Sequence, residues 1–214
     1  MILGIDTAAG QCAVALVDGG AVRAQRAERM ARGHAEALWP MIDFALAEAR
    51  AGYPDITRIS VCTGPGSFTG IRVGVAAARG LALGGGVPAL GIDRFDALWA
   101  PIDLVGWPAA TAVAVALAGP QQTAYLRLYD ANCAVLGEDR RIPIGDLEAE
   151  TPPGAARFGD GWPGAEEAAG LPDPVWLAKL AARLPADPAD PPAPHYLRGP
   201  NADPPRHGPP PRLD

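Results

Sequence analysis

The chain has 214 residues, a formal net charge of -6 and a hydrophobic fraction of 49%. A chain of this length and apolar content buries a core without disulfide bonds, and its acidic balance excludes a general affinity for nucleic acid. Its three cysteines have no paired spacing and its N-terminus lacks the basic start of a signal peptide, so we expect a cytoplasmic protein with no membrane contact.

The first fifty residues predict a three-stranded meander followed by a helix. The strands are expected, from their β-branched residues and the small-residue turns between them, at residues 1–7, 11–17 and 21–28. The helix is expected at residues 34–51, where the charged residues Glu36, Asp43 and Arg50 occupy one narrow stripe. The rest of its circumference is largely apolar, so this helix has two faces to bury.

A glycine-rich loop connects the next predicted strand, residues 59–62, to a helix that ends near residue 84. The loop has the sequence Gly64, Pro65, Gly66, Ser67, Phe68, Thr69, Gly70, Ile71 and Arg72. Its glycines leave backbone amides free to bind a phosphate or carboxylate at the helix N-terminus, or they allow the helix to lie close against its neighbours. No lysine follows the last glycine, which excludes a nucleotide P-loop.

The helix after this loop is unusually apolar. Between residues 69 and 84, its only charged residues are Arg72 and Arg79. A surface helix normally keeps a polar face. One side of this helix can be covered by its own sheet, so we expect the second side to meet another helix, another lobe or another protein.

The order of elements up to residue 100 is βββαβαβ, which predicts a mixed sheet with helices packed on it. Strands expected at residues 113–117, 124–130, 133–138 and 157–159, with helical segments near Asp146, Glu166 and residues 176–184, repeat this order weakly. We therefore predict an N-terminal lobe at residues 1–100, a smaller degenerate lobe at 101–184 and a proline-rich tail at 185–214. Within the tail, the segment expected to be anchored is Tyr196-Leu197-Arg198.

Several segments resemble the bacterial TsaB (YeaZ) family in their order and spacing. They are Ile5-Asp6-Thr7-Ala8, the run from His34 to Pro40, Gly64 to Arg72, Gly80 to Gly84, Gly159-Asp160-Gly161-Trp162 and Tyr196-Leu197-Arg198. The similarity is strong through the first lobe and thin beyond it, and the glycine-rich loop is its most specific part. The resemblance implies an α/β protein with the two-lobed actin-like ATPase or sugar-kinase fold, in which each lobe has an RNase H-like sheet.

The same resemblance implies a function. TsaB proteins are needed to place threonylcarbamoyl on the adenosine 3′ of the anticodon in tRNAs that read codons starting with A. The transfer is catalysed by a homologous partner, TsaD, which carries a metal-binding His-x-x-x-His pair. This chain has only His34, His195 and His207, which do not have that spacing. We therefore expect a non-catalytic activating subunit with no metal and no cofactor of its own.

A nucleotide site is expected to be degenerate. In the wider fold, an aspartate-containing hairpin from each lobe holds the ATP phosphates. Asp6 keeps this aspartate in the first lobe and is a weak candidate for nucleotide binding, but alanines follow it where glycine is usual. Residues 118–125 lack the charged residues of the second hairpin, so we expect Asp6 to bond backbone amides of the neighbouring turn.

The resemblance also implies how the subunits meet. TsaB pairs with TsaD through the two helices of its N-terminal lobe, can pair with itself through the same face, and meets the ATPase TsaE and tRNA through the complex. The residues expected at this face are Leu38, Met41, Ile42, Ala45, Gly70, Gly74 and Ala78, with Arg72 and Arg79 at its rim. Bulky replacements of Gly74 or Ala78 are then expected to weaken the complex and to leave the monomer folded.

Other functions are compatible with parts of the sequence. An ATP-binding phosphotransferase or ATPase of the same fold would need the missing second-lobe aspartate. A metallopeptidase would need a cluster of ligands, and a Ser67 nucleophile would need a histidine close to it in sequence. His34 with Glu36 offers half of a metal site or an acid/base pair, but the favoured interpretation is a histidine that caps or hydrogen-bonds locally at the start of the helix.

Overall fold

The computed structural model describes residues 1–105, 112–186 and 190–197 and contains two sheets with helices packed on them. The strands are β1 (Ile2–Asp6), β2 (Gln11–Asp18), β3 (Ala21–Arg29), β4 (Arg58–Cys62), β5 (Ala89–Ile92), β6 (Val113–Ala118), β7 (Thr123–Tyr129), β8 (Arg140–Pro143) and β9 (Ala156–Phe158). The helices are α1 (His34–Glu48), α2 (Phe68–Gly85), α3 (Arg94–Val105) and α4 (Pro174–Ala181), with 3₁₀ turns at Tyr53–Asp55, Ile144–Asp146 and Glu167–Gly170. None of the helices in these ranges is long and apolar enough to cross a membrane.

The two sheets share one connectivity. The first has the strand order β3-β2-β1-β4-β5, and the second has the order β8-β7-β6-β9. In each sheet, an antiparallel meander of three strands is joined by a later strand that runs parallel to the first strand of the meander. The predicted α/β fold with two RNase H-like sheets is therefore confirmed.

The third strand of the second sheet lies later in the chain than predicted. Residues 133–138 form no regular strand, and their contact with β7 is an isolated bridge between Tyr129 and Val135. The turn after β7 explains the difference, because the Asp130 carboxylate accepts hydrogen bonds from the backbone N–H groups two and four residues later. After this turn the chain makes a single bridge to β7, and regular pairing resumes only where β8 begins at Arg140.

β2 is buried along nearly its whole length because helices cover both faces of the first sheet. Val14 and Leu16 point to one face, where they join the large core beneath α1 and α2. Ala15 and Val17 point to the opposite face and pack against α4. The alternation follows from the two-residue period of a strand.

Each sheet also carries a helix from the other half of the chain. α3 directly follows the first sheet, but its Phe95 and Trp99 pack on the core of the second sheet. α4 follows the second sheet, yet it lies so close to β1 that a Cβ on Gly4 would be 2.1 Å from the carbonyl oxygen of Pro174. The division at residues 100 and 184 stays a prediction, and this exchange of helices ties the two halves together.

Two glycines of α2 lead to opposite predictions for stability. A Cβ on Gly70 would lie 2.0 Å from the carbonyl oxygen of Thr7, whereas a Cβ on Gly80 would meet no neighbouring atom within 4 Å in the described structure. We expect Gly70→Ala to lower the free energy of unfolding by about 2 kcal/mol, because α2 would have to move away from β1. Gly80→Ala should raise it by up to about 1 kcal/mol, because alanine favours a helix.

Denaturant unfolding followed by circular dichroism measures both effects. The same sign for the two substitutions would contradict the placement of α2.

Candidate functional site

The glycine-rich loop is shaped by close contact with the turn between β1 and β2. The N–H of Ser67 donates to the carbonyl oxygen of Ala8 at 2.8 Å, and a Cβ on Gly66 would lie 2.0 Å from the same oxygen. The hydroxyl of Ser67 caps α2 by accepting a hydrogen bond from the N–H of Gly70 at 3.2 Å. The glycines therefore serve close packing of α2 on this turn, which is the second of the two interpretations that the sequence allowed.

Asp6 lies fully buried at the end of β1, and both oxygens of its carboxylate are bonded within the chain. Oδ1 accepts a hydrogen bond from the N–H of Ala8 at 2.9 Å, and Oδ2 accepts one from Nε2 of Gln11 at 2.8 Å. The same Gln11 nitrogen lies 2.7 Å from the carbonyl oxygen of Pro172, to which it also donates. Burial raises the pKa of the Asp6 carboxyl despite these bonds. Asp6 thus holds the β1–β2 turn, the structural role expected for it.

Arg94 joins the loop to the second sheet, and the sequence analysis did not identify it. Its backbone N–H donates to the carbonyl oxygen of Gly64, and its Nε donates to that of Gly170, both at 2.7 Å. Its Nη2 pairs with Oδ2 of Asp160 at 3.0 Å, while Oδ1 of Asp160 accepts a hydrogen bond from the N–H of Ala118. A Cβ on Gly170 would fall 2.4 Å from Nη2 of Arg94. At this edge the two sheets are joined by the chain's own groups.

A second buried arginine fixes α3 on the second sheet. Arg127 on β7 donates to the carboxylate of Asp139 at 2.6 and 2.7 Å, and its Nη1 donates to Asp93. The hydroxyl of Tyr129 donates to Asp96 at 2.6 Å. Burial, and then the negative charge of Asp93, raise the pKa of the Asp96 carboxyl. The carboxylates surround one guanidinium, and the cluster holds the start of α3 in place.

The two histidines that the structure describes, His34 and His195, do not lie in a cluster that could hold a metal ion. Within residues 1–105, 112–186 and 190–197, no three His, Cys, Asp or Glu side chains are placed to hold a metal ion. His34 is buried at the start of α1, and Glu36 is exposed. Nε2 of His195 lies 3.8 Å from Oδ2 of Asp139. His207 lies outside the described residues. The half-site considered for His34 and Glu36 therefore gains no third ligand from the described part of the fold.

The outward side of α2 carries small and apolar residues. Ala76, Gly80 and Leu83 follow the i, i+4, i+7 spacing of one helix face, and all three are exposed, Leu83 by 88%. On the neighbouring helix α1, Trp39 is 44% exposed. We refer to the surface formed by Trp39, Ala76, Gly80 and Leu83 as the two-helix face.

A strap at residues 190–197 crosses the edge of the first sheet and reaches α2. The N–H of His195 donates to the carbonyl oxygen of Thr63 at 2.8 Å. Nε of Arg79 donates to the carbonyl oxygen of Pro192, also at 2.8 Å. The strap is therefore fixed at two points by backbone groups.

The end of the strap is anchored by side chains, as the sequence predicted. The ring of Tyr196 lies 5.1 Å from the ring of Phe68 at the start of α2, and Leu197 packs against the core of the second sheet. Arg198, the third residue of the predicted segment, lies outside the described residues.

Comparisons with known sequences identify relatives of the chain. The family model TsaD, tRNA N6-adenosine threonylcarbamoyltransferase, matches residues 24–148, which is more than half of the chain. The tRNA threonylcarbamoyladenosine biosynthesis protein TsaB of Escherichia coli K12 is 42% identical over 92 residues, covering 43% of this chain and 39% of that protein. The protein of the same name from Haemophilus influenzae is 37% identical over 97 residues, covering 45% and 41%.

Solved structures match a larger part of the chain than these sequence relatives do. A crystal structure from Pseudomonas aeruginosa, of an uncharacterized protein with similarity to peptidase YeaZ, has a TM-score of 0.71 at 25% identity and covers 92% of this chain and 99% of that one. The chain belongs to the family that the TsaD model describes, and the TsaB (YeaZ) proteins are its relatives in sequence and fold. YeaZ from Pseudomonas aeruginosa has the same fold, with a TM-score of 0.65 at 23% identity over 85% of this chain and 90% of that one. The sequence matches span about two fifths of the length of the two curated TsaB relatives.

The structure corrects the residues that the TsaB resemblance placed at a partner face. Six of them are buried in the chain's own interior, namely Leu38, Ile42, Ala45, Gly70, Gly74 and Ala78. Met41 is half-buried, while Arg72 and Arg79 are exposed. A Cβ on Gly74 would lie 2.4 Å from Oγ1 of Thr7, so a bulky residue there would disturb the monomer itself. A contact surface on these helices has to be formed by their other side, the two-helix face.

The contacts of Arg94 predict a large effect on stability. Arg94→Ala leaves the mostly buried carboxylate of Asp160 without its charged partner, so we expect the free energy of unfolding to fall by about 3 kcal/mol. Arg157→Ala is the matched control, because it removes an exposed pair with Glu148 and should cost less than about 1 kcal/mol. Urea denaturation compares the two variants. Equal losses would show that Arg94 does not stabilise the junction of the sheets.

Proposed function

We propose that this protein is a non-catalytic activating subunit for threonylcarbamoyl transfer to the adenosine 3′ of the anticodon in tRNAs that read codons starting with A. It forms a heterodimer with TsaD, meets TsaE and tRNA through that complex, and acts in the cytoplasm. The observation that carries this proposal is the two-helix face on the outward side of α1 and α2.

The two-helix face has the composition of a protein contact surface. Trp39 and Leu83 are large apolar side chains that stay exposed on adjacent helices, and large exposed apolar groups of this kind favour a protein partner. The small residues Ala76 and Gly80 allow a facing helix to approach closely, because small side chains permit a short distance between helix axes. We therefore place helices of the partner on this surface.

TsaD is the partner that the relationship between the chains favours. Residues 24–148, which include α1 and α2, match the TsaD family model, so the two proteins have equivalent helices. A pseudo-twofold dimer, in which both chains contribute the same two helices, brings self-complementary surfaces together. For the same reason we propose that the isolated chain pairs with itself through this face.

The non-catalytic part of the proposal is supported by the groups around Asp6. Gln11 and the N–H of Ala8 occupy both oxygens of the Asp6 carboxylate, and the buried Arg94 joins the neighbouring loop to Gly170. A nucleotide complex that used the Asp6 carboxylate would have to displace one of these bonds and leave a buried polar group unpaired, at a cost of about 1–3 kcal/mol. This argues against the ATP-binding phosphotransferase that the sequence left open.

A reconstituted transfer reaction tests the function. Unmodified tRNA is incubated with labelled threonine, bicarbonate, ATP, TsaC, TsaD and TsaE, with this protein included or omitted. We expect threonine incorporation to require this protein, while the protein alone neither hydrolyses ATP nor modifies tRNA. Equal incorporation without it would overturn the proposal, and saturable ATP turnover by the isolated chain would favour the phosphotransferase.

The two-helix face predicts a substitution that separates binding from folding. Gly80→Glu places a charged side chain in open space on the exposed side of α2, so the monomer should fold while its affinity for TsaD falls at least about tenfold. Gly145→Glu is the control, because Gly145 is equally free of neighbours and lies in the 3₁₀ turn after β8. Isothermal titration calorimetry with TsaD measures both. Wild-type affinity of the Gly80→Glu protein would show that TsaD binds elsewhere.

A further inference from the structure

Arg72 lies at the N-terminal end of the exposed stripe on α2, and two aromatic rings fix its guanidinium. Its carbon Cζ lies 3.7 Å from the ring centre of Phe68, one turn earlier in the helix. Its Nε donates to the hydroxyl of Tyr196 in the strap at 3.0 Å. The two rings are themselves in contact and remain 40% and 39% exposed. Three side chains from α2 and the strap therefore form one group at the surface.

The contacts of Arg72 differ from those of the chain's paired arginines. In the described part of the chain, carboxylates pair with Arg23, Arg26, Arg94, Arg127, Arg140 and Arg157. No carboxylate of the described residues pairs with Arg72, which contacts the rings of Phe68 and Tyr196 instead. Nε of Arg72 donates to the hydroxyl of Tyr196. Nη1 and Nη2 can donate in parallel to one carboxylate, and Arg72 is exposed to solvent.

The position of Arg72 connects this group to the two-helix face. Arg72 precedes Ala76 by four residues, and Gly80 and Leu83 continue the same exposed stripe along α2. A helix docked along the stripe would therefore pass over the guanidinium. An arginine that is already oriented loses less conformational entropy when it binds, which makes it an efficient anchor.

We propose that Tyr196 and Phe68 hold Arg72 as a preset anchor for a carboxylate of the TsaD partner. This inference rests on the proposed function and adds to it a polar contact and a role for the strap. Arg72 touches the partner, and Tyr196 is a positioning residue that acts through Arg72. A protein carboxylate is favoured over a tRNA phosphate because the group borders an apolar face on a chain whose net charge is -6.

The test measures the dissociation constant for TsaD without tRNA, at about 50 and about 300 mM NaCl. Arg72→Gln should raise it about tenfold at low salt and less at high salt, because a surface charge pair is screened. Tyr196→Phe keeps the ring on Phe68 but loses the hydroxyl that accepts from Nε, so we expect a rise of about threefold with an unchanged midpoint of thermal unfolding.

Two further variants identify the positioning role. The double variant Arg72→Gln with Tyr196→Phe should bind as weakly as Arg72→Gln alone, because the hydroxyl acts only through the guanidinium. Arg141→Gln is the matched control, since Arg141 is an exposed arginine on β8, where its Nε donates to Thr123, and its loss should change the constant less than twofold.

The outcomes separate this inference from the proposed function. If Gly80→Glu abolishes binding but Arg72→Gln binds as wild type does, the anchor is wrong and the two-helix face stands. Additive losses in the double variant would overturn the positioning role of Tyr196. If Arg72→Gln keeps its affinity for TsaD but the complex retains less tRNA, Arg72 binds phosphate and the carboxylate proposal is overturned. Failure of the wild-type chain to bind TsaD would overturn both proposals.

Discussion

The buried guanidinium of Arg94 is the contact on which the arrangement of the molecule depends. A buried charge persists only where its donors find partners, and here the side chain meets Gly170 and Asp160 while the backbone meets Gly64. Gly170 lies in the turn before α4, Asp160 lies in the turn after β9 of the second sheet, and Gly64 lies in the loop before α2. One residue therefore fixes three segments, and the loop can then press the start of α2 against the β1–β2 turn.

α2 uses glycine in two opposite ways. Gly70 and Gly74 face β1, where a Cβ would fall 2.0 and 2.4 Å from Thr7, so a side chain there is sterically excluded. Gly80 and Gly84 face outward, where a Cβ would meet no neighbouring atom of the described structure within 4 Å. Each glycine inside a helix lowers its stability by about 1 kcal/mol relative to alanine. The inward pair is explained by packing within the chain, whereas nothing within the described part of the chain requires the outward pair, and the proposed contact with a partner helix would supply a reason for it.

The sequence was sufficient to show that α1 and α2 are apolar on more than one side, but not which side faces the sheet. Orientation is normally read from the contrast between polar and apolar residues. On α2 alanine and glycine occur on both sides, so Gly74 and Ala78 gave no signal that they point inward. The strands of the first sheet were easier to predict, because β-branched runs form them and turn residues separate them along the sequence. Asp6 could be placed correctly because its partner Ala8 is two residues away.

The contacts of the two buried arginines could not be predicted from sequence patterns, for a different reason. Arg94 and Asp160 are separated by 66 positions, and Arg127 and Asp93 by 34. Spacing rules describe neighbours on one helix or one strand pair, whereas these contacts exist only after two sheets have come together. The signal that was present was an arginine two residues after the end of β5, at the start of a helix whose next residue, Phe95, is fully buried.

The contacts between the two halves of the chain are relevant to the way in which it could activate TsaD in the proposed complex. Arg94 links the sheets, α3 and α4 each pack on the sheet of the other half, and Tyr196 and Leu197 tie the strap to both α2 and the second core. These contacts join the strap and the second half of the chain to the sheet that carries α1 and α2. A partner shifts a conformational equilibrium only by its difference in affinity for the two states. A face that adapted to both states would bind them alike and shift nothing, so in the proposed complex a face held in one geometry is what would let this chain favour one conformation of TsaD.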